Sequence, residues 1–464
     1  MFKCTGVCST CGKCQSESII NSTNNRKTRM IEYPADFSPD KNLSGFGVAF
    51  DIGTTTVVGI LRDLKAGKQI GIKAKTNPQN QFGMDVISRI TFSGEKQDNL
   101  DILRNKIIDA LNEIIEELCV EHGLSEEEIT SVVVGGNTTM SHIFSGYSPL
   151  SLAFSPFTPQ YTGSVTLNQK ESQLNVNPKA KIKVLPGIAG HVGGDITSGI
   201  VATRFLSSND LTLFIDIGTN GEIVLTDGDR SYACSTAAGP AFEGAAIEFG
   251  MRATKGAIEK AEIRDGEVYF KTIGSCEPMG ICGSGLIDII AEMKKVGLIE
   301  KTGKLLNNEK AVKKGIDPSL AERLISDGKT SKFILVYKEN GEDIVITQKD
   351  IREVQLAKGA IEAGITIMLN ELEKSVDDID RIIVAGAFGN YIDKESAKEI
   401  GLLPDVDVNK IVFAGNAAGT GVSMALASDR ETELAESIPE KIKHIELAQN
   451  EDFQNIYLNA MSFS

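Results

Sequence analysis

Two kinds of hydrophobic spacing alternate along the chain. "GVAFDIGTTTVVGIL", Gly47 to Leu61, is an apolar run into Asp51, broken at Gly53, then Thr54, Thr55 and Thr56 and a second apolar run. That pattern predicts two strands joined by a tight turn. Farther on, Leu100, Leu103, Ile107, Leu111, Ile114 and Leu118 recur at three- and four-residue steps, which predicts a helix with one core-facing stripe; "SVVVGGN" from Ser131 predicts a buried strand after it. Strands and helices in this succession are the order of an α/β protein. Residues 15 to 44 are polar, rich in Ser and Asn and without sustained periodicity, so they read as a linker, with the compact body expected from Gly45.

The pattern repeats. "FDIGTTTVVGI" from Phe50 returns as "IDIGTNGEIVL" from Ile215, "VVVGGNTTMSHIF" from Val132 as "IIVAGAFGNYI" from Ile382, and "LPGIAGHVGGDITSGIVA" from Leu185 as "IVFAGNAAGTGVSMAL" from Ile411. Three pairs in one order predict a duplicated fold, two related lobes facing each other across a cleft. The expected division is a Cys-rich segment at 1–14, the linker at 15–44, a first lobe at 45–205 and a second lobe at 206–464 that carries an inserted subdomain.

Composition narrows the classes. With 41% hydrophobic and 24% charged residues in 464, the chain is of ordinary globular make-up, and no apolar run approaches the ~18 residues needed to span a bilayer. The start lacks the apolar core of a signal peptide, so a cytoplasmic location and no membrane partner are expected. A net charge of -15, from 48 basic and 63 acidic residues, repels polyphosphate backbones and argues against nucleic acid. Four of the eight cysteines, Cys4, Cys8, Cys11 and Cys14, fall in the first fourteen residues. In a reducing compartment such a run reads as metal ligation before disulfides. Its spacing is close in density to the bacterial run that holds a four-iron cluster, with zinc and a thiol redox motif as alternatives. Cys119, Cys234, Cys276 and Cys282 are scattered and read as small buried residues.

The repeated turns have the chemistry of an anion site. Glycines let backbone N–H groups approach a phosphate, and Thr hydroxyls add donors. The first turn offers Gly53, Thr54, Thr55 and Thr56; the second offers Gly218, Thr219, Asn220 and Gly221. A carboxylate beside a phosphate makes sense where a divalent cation lies between, which assigns Asp51 and Asp216 to the water shell of Mg2+. The alternative for each is a Thr-rich hairpin in which Asp makes a local turn bond.

"DIGTTTVVG", "DIGTNGE" and "VAGAFG" resemble the two phosphate motifs and the adenosine motif of the actin, sugar-kinase and heat-shock-chaperone ATPase superfamily. The resemblance implies duplicated ribonuclease-H-like domains with ATP and Mg2+ in the cleft, with Gly386 and Gly389 at the adenosine. It also makes "AGHVGGDITSG" and "AGNAAGTG" connecting segments whose glycines let helices cross closely. Asp195, in the first of these, is a candidate to orient the attacking water; its rival reading is a helix N-cap. Gly283, Ser284 and Gly285 either approach the nucleotide or form the tight start of a buried helix. His142 and His191 read as hydrogen-bonded structural residues.

"NPQNQFGMDVISRI", "CSTAAGPAFEGAAIEFGMRATKGAI", "GICGSGLIDII" and "DIREVQLAKGAIEAGI" resemble, more narrowly, the C-terminal part of the reductive activators of corrinoid proteins. Members are iron-sulfur ATPases that return cob(II)amide to cob(I)amide. The resemblance implies a corrinoid protein of a methyltransferase system as partner, a low-potential electron donor, and an iron-sulfur cluster, four-iron in preference to two-iron; a homodimer stays open. The departure is at the front, where about 44 residues leave no room for the usual ferredoxin domain. Two other functions use the same cleft: a small-molecule kinase, which gives the cysteines no task, and a nucleotide-dependent redox sensor without turnover. The activator of acyl-CoA dehydratases is a further cousin, but its cysteines lie within the ATPase lobes.

Overall fold

Each Asp-Ile-Gly-Thr turn caps the central strand of its own sheet. The computed structural model describes residues 31–326, 330–386 and 391–463. In chain order the strands of the first half are β1 (Phe46–Ile52), β2 (Thr56–Asp63), β3 (Lys68–Thr76), β4 (Ile129–Gly136), β5 (Val165–Leu167) and β6 (Lys181–Val184). The second half begins with β7 (Thr212–Ile217), β8 (Gly221–Thr226) and β9 (Ser231–Thr236). Two small sheets follow, from β10 (Ala257–Arg264), β11 (Glu267–Thr272) and β12 (Gly280–Ile281), then β13 (Leu324–Ser326), β14 (Ser331–Val336) and β15 (Ile344–Thr347). The chain then returns to the main sheet with β16 (Arg381–Ala385), β17 (Ile411–Gly415) and β18 (Lys443–His444).

The first sheet runs β3-β2-β1-β4-β6-β5 and the second β17-β16-β7-β8-β9-β18. In both, an antiparallel three-strand meander, β1 to β3 or β7 to β9, is continued on its first strand by parallel neighbours, β4 and β6 or β16 and β17. Asp51 and Asp216 stand at the carboxyl ends of β1 and β7, where antiparallel and parallel neighbours diverge and open α/β sheets make their crevices.

Apolar periodicity builds the layers. Helix Asn99–His122 turns Leu103, Ile107, Leu111, Ile114 and Leu118 onto one face of the first sheet. Helix Gln348–Leu372 covers the matching face of the second, beside β8 and β9. Between the sheets lie helices Gly194–Thr203 and Ala417–Ala427, almost wholly buried. The helix from the first half sets Gly199 against Phe214 of β7, while the helix from the second half sets Val422 and Leu426 against Gly135 and Gly47 of β4 and β1. Among the described residues no helix is long and apolar enough to cross a membrane.

Polar composition suggested a linker up to residue 44, yet the chain is fastened to the body from Ile31 onward. Ile31, Tyr33, Phe37 and Leu43 add to the core between the sheets, and the Ile31 amide donates to Thr420 Oγ1 at 3.3 Å. Three or four apolar residues suffice for this, too few to register as periodicity. The cysteine run Cys4, Cys8, Cys11 and Cys14, and Gly389, lie outside the described residues.

The helix crossing yields a test. A Cβ on Gly421 would lie 1.8 Å from the Ser198 carbonyl oxygen, a backbone atom that cannot swing away. Gly421→Ala should therefore lower stability by about 1–3 kcal/mol through overpacking, read as a fall in thermal midpoint. Gly163→Ala, where nothing lies within 4 Å, should leave the midpoint unchanged.

Candidate active site

The cleft between the two turns is lined by carboxylates. Asp51 and Asp216 come from the two strand ends, and Asp195 from the first turn of helix Gly194–Thr203. Glu222 joins them because β8 pairs antiparallel with β7 and puts it directly across from Asp216. Asp195 does not cap its helix. Gly193 holds the N-cap position, and Asp195 accepts the neighbouring Ile196 amide through Oδ1 at 2.9 Å, with further backbone amides of the same turn facing its carboxylate. Asn416, the cap of the exchanged helix Ala417–Ala427, accepts the Gly419 amide and donates through Nδ2 to Asp51 Oδ2 at 3.0 Å.

Burial and mutual repulsion hold protons on these groups. Asp51 is pushed up to about 6 by burial, against the Asn416 bond that favours its charged form. Burial, then the charges of Asp195 and Asp51, push Asp216 up to about 7. Asp195 is raised by burial and by Asp51, and Glu222 well above the usual carboxylate range by burial, Asp195 and Asp216. Hard oxygen donors that resist ionising until a positive charge joins them fit a hydrated divalent cation bridging to phosphates.

The Thr hydroxyls are spoken for in an informative way. Thr54 Oγ1 accepts from Asn137 Nδ2 at 2.9 Å. Thr55 Oγ1 donates to Glu243 Oε2 at 3.1 Å and Thr219 Oγ1 to Glu243 Oε1 at 2.7 Å, so one carboxylate joins the two turns. Behind the first turn, Asn77 Nδ2 donates to the Gly53 carbonyl at 2.9 Å, and the buried Arg89 guanidinium donates to the Thr54 and Gly83 carbonyls and to Gln79 and Asn80. Gly53 has the Thr56 carbonyl 2.8 Å from where a Cβ would stand, whereas at Gly218 a Cβ would meet the Asn220 carbonyl at an ordinary 3.7 Å.

The second lobe supplies a pocket. Gly386, at φ +90°, lies so close to Asp216 that a Cβ would meet its Oδ1 at 2.6 Å. Five residues on, Tyr391, Ile392 and Lys394 line a cavity of about 420 Å3 with Glu259, Lys260 and Phe413. Gly283, Ser284 and Gly285 begin a buried helix against β10: Ser284 Oγ donates to the Glu259 carbonyl at 2.9 Å, and a Cβ on Gly285 would strike the Ile258 carbonyl. Their backbone thus supports a wall of the cavity. His142 is fully buried, with Nδ1 2.7 Å from the Thr138 carbonyl and Nε2 accepting from the Gln160 amide, a structural arrangement. Cys119, Cys234 and Cys282 are buried, while Cys276 is partly exposed.

Sequence reasoning missed Glu222, Glu243, Asn416 and Arg89. A signal for Glu222 existed: a charge inside the otherwise apolar strand "GEIVLT", six residues after Asp216 across a hairpin. Glu243 and Asn416 lie inside strings singled out above, but nothing in those strings tells their roles from those of their neighbours.

Two facing ribonuclease-H-like sheets with a turn on each and a carboxylate-lined cleft define the actin, sugar-kinase and heat-shock-chaperone class. The family model described as "RACo middle region" matches residues 46–208, and "C-terminal domain of RACo the ASKHA domain" matches residues 210–464. The chain belongs to the RACo family. It is 38% identical over 430 residues to "Corrinoid activation enzyme RamQ" of Eubacterium limosum, covering 91% of this chain and 71% of that protein. It is 27% identical over 454 residues to the "Co(II) methylated amine-specific corrinoid protein reductase" of Methanosarcina barkeri, covering 90% and 77%. A solved "Reductive activator for corrinoid,iron-sulfur protein" superposes with a TM-score of 0.79 at 40% identity, over 91% of this chain and 67% of that one.

The raised carboxylates set a pH dependence. Folded Asp51 and Asp216 keep protons to about 6 and 7, whereas the unfolded chain releases them near the ordinary value of 3.8. In that window the folded state binds more protons, so stability falls as pH rises through it and stays reduced above. Asp195→Asn removes one repelling charge and should raise the thermal midpoint of the nucleotide-free protein by roughly 2 °C at about pH 8, with the gain shrinking toward about pH 5. A gain independent of pH would break the electrostatic account.

Proposed function

We propose that this chain is an ATP-dependent reductive activator of a corrinoid protein, returning the cob(II)amide state to cob(I)amide. The observation that carries the proposal is the convergence of Asp51, Asp216, Asp195 and Glu222 between two Thr-bearing turns, in a chain whose relatives are named for corrinoid activation and corrinoid reduction.

In this reading the two turns bind the nucleotide phosphates through their amides and hydroxyls, and the Tyr391 cavity takes the nucleoside. Gly283, Ser284 and Gly285 act from behind that cavity, Gly386 acts beside Asp216, and Gly389 is assigned to the adenosine by its motif alone. Mg2+, when bound, neutralises phosphate charge and orders water between the carboxylates. Asp51 and Asp216 hold its water shell. Asp195 accepts a hydrogen bond from the attacking water and orients it. Asn416 keeps Asp51 oriented and links it to the exchanged helix.

The electron-transfer half of the proposal assigns Cys4, Cys8, Cys11 and Cys14 to an iron-sulfur cluster, four-iron on their spacing, fed by a low-potential donor. Reduction of a low-potential cobalt centre is uphill, and ATP helps by favouring one conformation of a complex over another. The partner is a corrinoid protein of a methyltransferase system.

Anaerobic reconstitution with iron and sulfide should give a brown protein whose broad visible band is lost when Cys8, Cys11 and Cys14 become Ser, since Ser is a poor ligand for soft centres. A chain that takes one zinc and refuses iron would remove the electron-carrier role. With reductant, ATP and a cob(II)amide protein, absorption should report cob(I)amide, and ATP hydrolysis should rise with the partner present. Asp216→Ala should keep the cluster and lose the coupled reduction; the Cys variants should still bind nucleotide and transfer no electron. Equal reduction without ATP would favour the redox-sensor reading, and phosphorylation of a small molecule the kinase reading.

A further inference from the structure

One carboxylate accepts the hydroxyls of both turns, one oxygen for each lobe: Thr55 to Glu243 Oε2 and Thr219 to Glu243 Oε1. A nucleotide's terminal phosphate needs the same donors, because hydroxyls at the tips of two facing turns converge on one point. Two anions cannot share them, since like charges a few ångströms apart repel strongly in a cleft of low dielectric. We propose that Glu243 is a resident stand-in for the terminal phosphate, joining the lobes through both turns until the phosphate displaces it and releases the turn that carries it. This rests on the nucleotide reading of the two turns.

Glycines flank the turn that carries Glu243. The short turn Pro240–Glu243 lies between Gly239 at φ +75° and Gly244 at φ +85°, and glycine crosses between left- and right-handed conformations without the penalty a Cβ imposes. No heavy atom stands within 4 Å of a Cβ built on Gly239, while Ala241 and Phe242 of the turn are packed in the second-half core, so its release has to loosen them. On the other side the segment is anchored. The Ile281 amide donates to the Phe249 carbonyl at 2.8 Å and the Met251 amide to the Ile281 carbonyl at 2.9 Å. Ile281 leads directly into helix Gly283–Lys295 beneath the Tyr391 cavity. Displacing Glu243 therefore connects the phosphate end of the cleft to the inserted sheet β10–β12 and to the nucleoside end.

Hydrogen exchange of the full chain with and without Mg·AMPPNP decides it. Bound nucleotide should slow exchange at residues 51–56 and 216–221 and speed it about tenfold at residues 239–247, an opposite sign that simple ligand protection does not produce. Slowing in all three segments, or no change at 239–247 while both turns are protected, overturns the inference. Absence of protection at either turn overturns the nucleotide reading and this inference with it. As a second measurement, Glu243→Gln removes the charge and one acceptor and should tighten AMPPNP binding about fivefold while leaving AMP, which lacks the terminal phosphates, unchanged. Unchanged or weaker AMPPNP binding rejects the displacement.

Discussion

The crossing of helices Gly194–Thr203 and Ala417–Ala427 is the contact on which the two-lobed arrangement depends. The helix from the second half lies against the sheet of the first, and the helix from the first half sits between β4 of its own sheet and Phe214 of the second, so the lobes are tied through the pair. The approach is close because Gly421 presents only backbone to the Ser198 carbonyl, and Gly199 leaves space for Phe214. Small residues permit such contact; larger ones would prise the sheets apart and open the core between them. The N-terminal ends of these same helices carry Asp195 and Asn416 to the cleft. A change in charge at the cleft thus acts at the ends of the two helices packed between the sheets.

That cleft is held at a cost. Carboxylates that raise one another's pKa destabilise a fold that keeps them ionised. The surrounding structure offsets the strain by rigid support of the turns. Arg89 is fully buried and pushed down to about 10, still a cation at neutral pH, with carbonyl and amide oxygens around its guanidinium. It braces the first turn from behind and places a positive charge near where phosphates are proposed to bind. The "NPQNQFG" stretch thereby has a physical role: Asn77, Gln79 and Asn80 organise Arg89 and the Gly53 carbonyl.

A second buried cation ties the amino-terminal segment to the same machinery. Arg62 donates through Nη1 to the Tyr33 hydroxyl at 2.6 Å and to Ser423 Oγ at 2.9 Å, and through Nη2 to the Gly67 carbonyl at 2.8 Å. Tyr33 and Phe37 lie against its guanidinium, and Asp40 accepts from Ser428 and the Asp429 amide at the end of the exchanged helix. The chain that follows the cysteines is therefore bonded along the helix whose other end reaches Asp51.

The α/β order, the duplication and the paired turns were legible from the amino-acid sequence because each is local: strand and helix periods, a glycine break, and strings of ten or so residues that recur in order. Asp51, Asp216 and Asp195 could be singled out for the same reason, each lying inside a repeated string. Tertiary structure decided the rest. Glu222 faces Asp216 only through strand register, and Asn416 reaches Asp51 across 365 positions. Glu243 joins Thr55 to Thr219 only because two lobes face each other. The N-cap reading of Asp195 yielded to Gly193, and the expected linker proved anchored from Ile31, since a few apolar side chains meeting a preformed surface leave no periodic trace. Local chemistry is written in neighbouring residues; pairing, burial and the repulsion that raises these carboxylates come from segments far apart in the chain, and exist only once both halves are folded against each other.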